Sequence, residues 1–259
     1  MLTNKYGLPD TIVRAVSNDD YSRGDSWRTV TELISPPRIV TLRTRFEPVE
    51  DVSDRLWILL GKAVHKILEM ANEGDVVEQR VYSNIFGKTI GGQTDRVLVI
   101  KEKVPGKRGR PKTISRIEDW KVTSVWTIVY KSRKDDWEKQ LNLYAYLWNK
   151  NGLRNLSSLG ACAILRDYRE SEKKINDYPP IPFSMVNIPV WNPTITKSYL
   201  ESRAKAHLES DNVLPLCSDE DRWMNPKTRR FVRCERYCPV ASFCGQWQEI
   251  KKARGLGGE

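Results

Sequence analysis

Two acidic residues and one lysine in the middle of the chain have the types and spacing of a metal-dependent hydrolytic centre. Asp95 lies in the β-prone segment GGQTDRVLV, and Asp119 and Lys121 lie two residues apart in IEDWKVTS. Alternate residues of a strand project from one face, so Asp119 and Lys121 would share a site. Carboxylates are the hard ligands that Mg²⁺ and Mn²⁺ prefer, and such an ion can bind both an attacking water and a phosphate oxygen. Lys121 could orient or deprotonate that water, or neutralise charge on the phosphate.

On an isolated strand, Asp119 and Lys121 would form an ordinary surface ion pair. The surrounding elements decide whether the two residues belong to a functional site instead. Apolar residues recur at three- and four-residue intervals over 54–72, which predicts a buried amphipathic helix carrying His65. Turn residues then separate several β-prone segments, and a second helix follows. The predicted order is helix, three strands, helix and strand, over residues 54–72, 76–87, 88–103, 113–124, 136–149 and 159–168.

Prolines mark both flanks of these elements. Residues 1–45 contain helix fragments between polar stretches, and SPPRIVTLRTRF has a Pro-Pro break followed by a short β-prone run. We expect this N-terminal segment to wrap the core. On the other flank, YPPIPFSMVNIPVWNP leads into a polar helix around 197–209, which contains His207, a residue to which we assign no role.

The ordered set of motifs resembles the RecB-like branch of the PD-(D/E)XK nucleases, which includes CRISPR-associated exonucleases and small stand-alone phage forms. The resemblance rests on GKAVHKILE, GGQTDRV, EDWK and QLNLYAYLW, and covers roughly Gly61 to Trp148, with a cysteine group extending it to Cys244. It implies a restriction-endonuclease-like α/β core, a central mixed sheet flanked by helices. A C-terminal segment with a cysteine-ligated metal cluster would follow.

This resemblance also implies a role for each residue of the site. The metal ligands would be His65, Asp95, Asp119 and the backbone carbonyl of Trp120; Lys121 would activate water, and Gln140 and Tyr144 would help to hold substrate. Gln140 and Tyr144 are four residues apart and therefore share a helical face. Glu78 occupies the place of an earlier acid in some relatives, and an exposed glutamate without a role is an equal alternative. Glu118 should point to the opposite face of its strand and be structural.

Four cysteines near the C-terminus suffice for one closed metal site: Cys217, Cys234, Cys238 and Cys244. Their thiolates suit structural zinc or an iron–sulfur cluster. Several RecB-like nucleases carry a four-cysteine [4Fe–4S] cluster, so the resemblance favours that cofactor, with zinc as the alternative. This chain departs from those nucleases in two ways. The gap between Cys234 and Cys238 is three residues rather than two. No cysteine precedes His65, where those nucleases have their first ligand, so Cys217 would have to take its place. Cys162, in the apolar ACAIL, is expected to be a core residue.

Charge indicates a polyanionic partner. The net charge is +10 and the pI is about 9.4, which favours binding to nucleic acid. The segment KEKVPGKRGRPK, residues 101–112, is predicted to be a basic hairpin tip that contacts the DNA backbone or is merely solvated. Apolar runs are far shorter than a membrane span, and the first residues lack the features of a secretory signal, so we expect a cytoplasmic protein without a membrane partner.

Together these observations predict two parts, a nuclease domain over 1–210 and a cysteine-bearing tail over 211–259 packed on it. The expected reaction is Mg²⁺- or Mn²⁺-dependent hydrolysis of DNA, with an exonuclease acting on ends or single strands favoured. Alternatives are a structure-specific endonuclease, an RNA substrate, and a non-catalytic DNA-binding or interaction module that retains the fold. A helicase or recombination protein is a candidate partner.

Overall fold

The computed structural model describes residues 2–18, 22–102, 112–153 and 155–255. Within these ranges the α-helices are α1 (Asp10–Ser17), α2 (Val30–Ile34), α3 (Pro37–Arg45), α4 (Leu56–Met70), α5 (Val125–Val129), α6 (Lys134–Lys150), α7 (Pro193–Ser210) and α8 (Gly245–Ala253). The β-strands are β1 (Leu2–Thr3), β2 (Arg28–Thr29), β3 (Glu50–Asp51), β4 (Val76–Ile85), β5 (Lys88–Glu102), β6 (Lys112–Thr123), β7 (Leu156–Leu165) and β8 (Phe183–Ile188). Short 3-10 helices cover Val52–Arg55, Glu170–Glu172 and Ala241–Phe243, and a π-helical turn covers Arg233–Tyr237.

The chain divides into two compact units. We call Tyr21–Ile34 with Trp57–Glu201 the sheet unit, and Met1–Asp20, Ser35–Leu56 and Ser202–Glu259 the cysteine unit. The N-terminal segments, which the sequence assigned to the nuclease domain, therefore fall in the same compact unit as the cysteine-bearing tail.

A mixed six-stranded sheet forms the centre of the sheet unit, as predicted. The strand order is β2-β5-β6-β7-β8, and β4 pairs with β5. The β4–β5, β5–β6 and β7–β8 pairs are antiparallel, whereas β6–β7 and β2–β5 are parallel. The β5–β6 ladder ends at Arg96 opposite Glu118. The two strands separate there, so that Asp95 and Asp119 lie at the fork between them.

Helix α6 packs on this sheet and confirms the second predicted helix. Its Leu141, Tyr144 and Trp148 are buried, as expected of a stripe at three- and four-residue spacing. Gly92 on β5 allows the close approach, because a Cβ atom there would lie 2.8 Å from Tyr144 Cδ1 and 2.9 Å from Leu147 Cδ1.

Helix α4 corrects one prediction. A helix forms where the apolar periodicity places it, but none of its residues is buried. Several large apolar side chains are instead exposed: Trp57, Ile58, Leu60, Ile67 and Met70. Periodicity shows that a helix has an apolar face, whereas coverage of that face depends on the rest of the chain.

Two further segments differ from the sequence-based expectations. The β-prone run after the Pro-Pro break is helix α3, with Pro37 in its first turn, where the missing proline N–H costs no helical hydrogen bond. Its Ile39 and Leu42 belong to the apolar core of the cysteine unit. The proline-rich stretch contains the unpredicted strand β8, which adds to the sheet beside β7. Prolines flank β8 without interrupting its ladder.

Residues 103–111 of the predicted basic hairpin tip, 101–112, lie outside the described residues; its first two residues end β5 and its last begins β6. Among the described helices, none combines the length and apolar composition that crossing a bilayer requires.

Candidate metal centre

Three side chains of the sheet unit converge on one point at the fork between β5 and β6. His65 Nδ1 lies 3.5 Å from Asp95 Oδ1 and 3.6 Å from Glu78 Oε1, and the three ligand atoms are all within 4.8 Å of one another. His65 Nε2 lies 3.0 Å from the carbonyl oxygen of Trp120. When Nε2 carries the proton and donates it to this carbonyl, Nδ1 presents its lone pair toward the two carboxylates, as in metal-binding histidines.

Glu78 reaches this point through an irregularity of strand β4. Its φ is +49°, and the residues on either side of it pair as Val77 with Arg96 and Gln79 with Thr94. A left-handed backbone at a non-glycine residue costs about 1–3 kcal/mol and is concentrated at functional sites. Gln93 Nε2 also donates a hydrogen bond to Glu78 Oε2 at 2.8 Å. Strand periodicity carries no signal for this irregularity, so the sequence left Glu78 undecided.

Asp95 and Asp119 place negative charge in a buried environment. Asp95 accepts a hydrogen bond from the backbone N–H of Trp120 at 2.5 Å, and both carboxylates are buried. Burial, followed by the neighbouring charge of Asp119, raises the pKa of Asp95 to about 8. Burial would lower the pKa of His65, but Glu78 and Asp95 raise it overall. A set of two carboxylates and an imidazole, with a third acid beside it, fits a divalent cation, which would compensate this charge.

Lys121 and α6 form the other side of the centre. The Lys121 ammonium is ion-paired with Asp119 and donates a hydrogen bond to Gln140 Oε1 at 3.1 Å. Gln140 Nε2 in turn donates to the Tyr144 hydroxyl at 2.9 Å. Tyr144 is buried, and this burial raises the pKa of its phenol. These two hydrogen bonds link the Lys121 side chain through Gln140 to the buried Tyr144, which holds the lysine in place.

Apart from the four tail cysteines, the residues to which the sequence assigned catalytic or metal-binding roles thus lie at one centre, and their roles stay predictions. The structure adds Glu78 to them. Glu118, on the same strand as Asp119, makes ion pairs with Arg96 at 3.1 Å and Arg116 at 3.6 Å. That is the environment expected of a structural acid.

The four tail cysteines line one small apolar cavity in the cysteine unit, with Arg38, Val240 and Trp247 among its other walls. Arg38 Nε donates a hydrogen bond to Cys244 Sγ at 3.2 Å. Burial, followed by neighbouring charges that include the other three thiols, raises the pKa of Cys217 to about 12. Cys162 is elsewhere, buried in β7 with its sulfur 3.7 Å from the sulfur of Met185, as expected of a core residue.

In the described part of the chain, the group that brings three ligand atoms within 4.8 Å of one another is His65, Glu78 and Asp95. The four cysteines share the lining of one cavity without forming such a group.

The fold and the site define a mixed α/β protein with a carboxylate and histidine centre at a strand fork. Neither a family model nor a curated protein matches the chain. Among solved structures, SSO0001 is similar over 93% of this chain and 98% of its own, with a TM-score of 0.53 and 16% identity, so the two share a fold. A structure from Eubacterium rectale, named as a candidate exonuclease, aligns over 61% of this chain and 53% of its own, with a TM-score of 0.35 and 12% identity.

Proposed function

We propose that the protein is a metal-dependent nuclease of the PD-(D/E)XK type, RecB-like branch, that hydrolyses phosphodiester bonds of DNA. One observation carries the proposal: the His65–Glu78–Asp95 triad lies beside the Asp119–Lys121 ion pair, at the fork of two strands. Metal ligands and a positioned ammonium are the parts that phosphodiester hydrolysis needs. The protein would act in the cytoplasm, on DNA that a helicase or recombination partner could present.

In this proposal the triad, with Asp119 next to it, holds Mg²⁺ or Mn²⁺. The ion, when bound, supplies a Lewis acid and a water of lowered pKa. Asp95 accepts the Trp120 N–H, which fixes the carboxylate against rotation. Lys121 lies between Asp119 and Gln140, from where it would donate hydrogen bonds to a phosphate oxygen. Tyr144 acts through Gln140, as a positioning residue.

DNA cleavage by matched variants tests this function. Wild type, Asp119→Asn and Lys121→Met are incubated with linear and circular DNA, single- and double-stranded, in Mn²⁺ and in EDTA. Both substitutions keep side-chain size and remove charge. Asp135→Asn is the control, because Asp135 is an exposed acid in the first turn of α6.

We expect Mn²⁺-dependent cleavage by wild type and the control, and a loss of at least about 100-fold in both site variants. Preference for linear DNA supports the exonuclease, and cleavage of circles supports a structure-specific endonuclease. Binding without cleavage by wild type under any divalent metal contradicts the enzyme and supports a non-catalytic DNA-binding module. The same cleavage assay with RNA in place of DNA tests the alternative of an RNA substrate.

We also propose that the four tail cysteines hold a [4Fe–4S] cluster in preference to zinc. The four thiols that line one cavity support a closed cysteine site, and the resemblance to RecB-like nucleases favours the cluster over zinc. Arg38 at Cys244, with Arg222 and Arg233 also lining the cavity, would offset the negative charge of a thiolate cluster. Anaerobically purified protein should be brown and contain about four irons per chain. About one zinc per chain without iron would contradict the proposal.

A further inference from the structure

An aromatic cluster lies just beyond the carboxyl end of β6. Trp126 and Tyr130 stack with ring centroids 5.7 Å apart and an interplanar angle of 19°. Trp126 also meets the edge of Tyr178, with centroids 6.1 Å apart. Tyr130 is nevertheless 70% exposed. The stack fixes the ring of Tyr130 while most of its surface remains accessible.

A second exposed ring belongs to α4. Trp57 is 57% exposed, and the guanidinium carbon of Arg166 lies 4.3 Å from the ring centroid. Arg166 comes directly after β7, and its backbone N–H donates to the carbonyl of Thr123, the last residue of β6, at 3.0 Å. The Trp57–Arg166 pair and the Trp126–Tyr130 pair therefore lie at the same end of the sheet.

Both pairs are close to the metal centre along the chain. Thr123 follows Lys121 by two residues on β6. Trp57 precedes His65 by eight residues on α4, which corresponds to about 12 Å along a helix. An exposed aromatic and basic surface thus adjoins the residues of the proposed nuclease site.

We propose that Trp57, Arg166, Trp126 and Tyr130, hereafter the stacking surface, bind the bases of single-stranded DNA next to the metal centre. The proposal rests on the proposed nuclease function and specifies its substrate. Aromatic rings stack on unpaired bases, whose faces are accessible, whereas the bases of a duplex stack on one another. The Arg166 guanidinium can bond a phosphate while it stays over the Trp57 ring, and the net charge of +10 favours the polyanion. The protein should therefore prefer single strands to duplexes.

Binding is measured without cleavage, in EDTA, with a fluorescent 20-nucleotide oligo(dT). Tyr130→Leu and Trp57→Leu should each weaken binding about 5- to 150-fold, the range that corresponds to one lost base stack. Tyr130→Phe keeps the ring and should bind like wild type. Phe86→Leu is the matched control, because Phe86 is as exposed as Trp57 at 57% but lies in the β4–β5 turn.

Two further arms separate stacking from a general loss of affinity. An oligonucleotide of abasic units has the same phosphates without bases, so wild type and the leucine variants should bind it equally. Arg166→Gln should lower the slope of log affinity against log salt by about 0.7, the value for one phosphate of a single strand. The leucine variants should leave this slope unchanged.

The outcomes distinguish this proposal from the nuclease function. Wild type that binds oligo(dT) through these residues but cleaves nothing supports the stacking surface and contradicts the nuclease. Wild type that cleaves DNA, with leucine variants that keep wild-type affinity and the same preference over duplex and abasic DNA, contradicts the stacking surface alone. If Trp57→Leu converts a dimer to a monomer in sedimentation and leaves DNA binding unchanged, the surface joins two copies of the chain and the proposal is wrong.

Discussion

At the scale of single residues, Glu78 and Tyr144 show how backbone and side chain prepare the centre. Glu78 is held in a left-handed conformation that L-residues avoid, and this conformation accompanies a carboxylate 3.6 Å from His65. Tyr144 is buried and is linked to Lys121 through Gln140. Substitutions at these two residues can therefore change metal binding or cleavage separately from the stability of the fold.

Glu78→Gln should weaken Mn²⁺ binding by at least about 10-fold, because an amide oxygen replaces a charged ligand. Glu78→Gly should do the same and stabilise the metal-free protein by about 1 kcal/mol, because glycine adopts the left-handed conformation without strain. Mn²⁺ titration calorimetry and urea denaturation in EDTA measure the two effects. Glu73→Gln, at an exposed acid nearby, is the control, and Mn²⁺ affinity unchanged by Glu78→Gln would remove Glu78 from the ligand set.

Tyr144→Phe should lower kcat about 10-fold with little change in KM, since it removes the hydroxyl that anchors Gln140 and keeps the ring. Steady-state cleavage in saturating Mn²⁺ measures this split. The urea midpoint checks that folding is intact. A kcat equal to that of wild type would show that Lys121 needs no anchor on α6.

At the scale of elements, contact between α6 and β5 positions the centre. The contact depends on Gly92, since any side chain there would meet Tyr144 and Leu147. In the cysteine unit, Asp51 joins β1 to β3: it accepts hydrogen bonds from the backbone N–H of Lys5 at 2.9 Å and from the hydroxyls of Thr3 and Ser53. Each element contact leads to a prediction.

Gly92→Ala should destabilise the protein by about 1–3 kcal/mol, because the added methyl group overpacks the helix against the strand. Cleavage should fall as well, since Tyr144 must move. Gly61→Ala, in the interior of α4 with no atom within 4 Å of the added Cβ, should instead stabilise by up to about 1 kcal/mol. Urea denaturation of both variants tests this, and equal effects at the two glycines would contradict the packing argument.

Hydrogen bonds from Lys5 and Ser53 hold the pKa of Asp51 well below its usual range. A carboxyl whose pKa is lower in the folded state adds stability above its unfolded pKa, about 3.9, and loses it as pH falls toward the folded value. Asp51→Asn should therefore be less stable than wild type at pH 7, and the difference should narrow below about pH 4. Denaturation midpoints of both proteins across pH 2–8 measure it, and a constant difference would contradict the role of the charge.

At the scale of the whole molecule, two compact units carry two distinct candidate metal sites. The carboxylate and histidine centre belongs to the sheet unit, whereas the cysteine cavity belongs to the cysteine unit. A protein with several bound groups need not unfold in one step. Binding of a metal at either site should therefore raise the stability of the unit that contains that site.

Calorimetric unfolding should reveal this separation. Mn²⁺ at 100 times its Kd should stabilise the sheet unit by about 2.7 kcal/mol, and Cys238→Ser should lower the unfolding temperature of the cysteine unit and release the iron of the proposed cluster. The effects should fall on different transitions. Asp119→Asn should weaken the first effect and leave iron content unchanged. A single transition shifted by both treatments would show that the units unfold together.

The sequence by itself determined the elements that local pattern encodes. Strands β4 to β6 and helix α6 form where turn residues and apolar periodicity place them, because these signals act over a few residues. Asp119 and Lys121 share a face for the same reason. The four cysteines could likewise be grouped from their spacing, although spacing does not choose between zinc and an iron–sulfur cluster.

Only the tertiary structure decided the features that depend on distant pairing. Glu78 comes to lie near His65 and Asp95 through the pairing of β4 with β5, and Arg38 bonds Cys244 across 206 positions of chain. Helix α4 has no buried residue and β8 pairs beside prolines, because coverage and ladder partners come from elsewhere in the chain. Register and coverage are set by contacts between remote segments, and no local period encodes them.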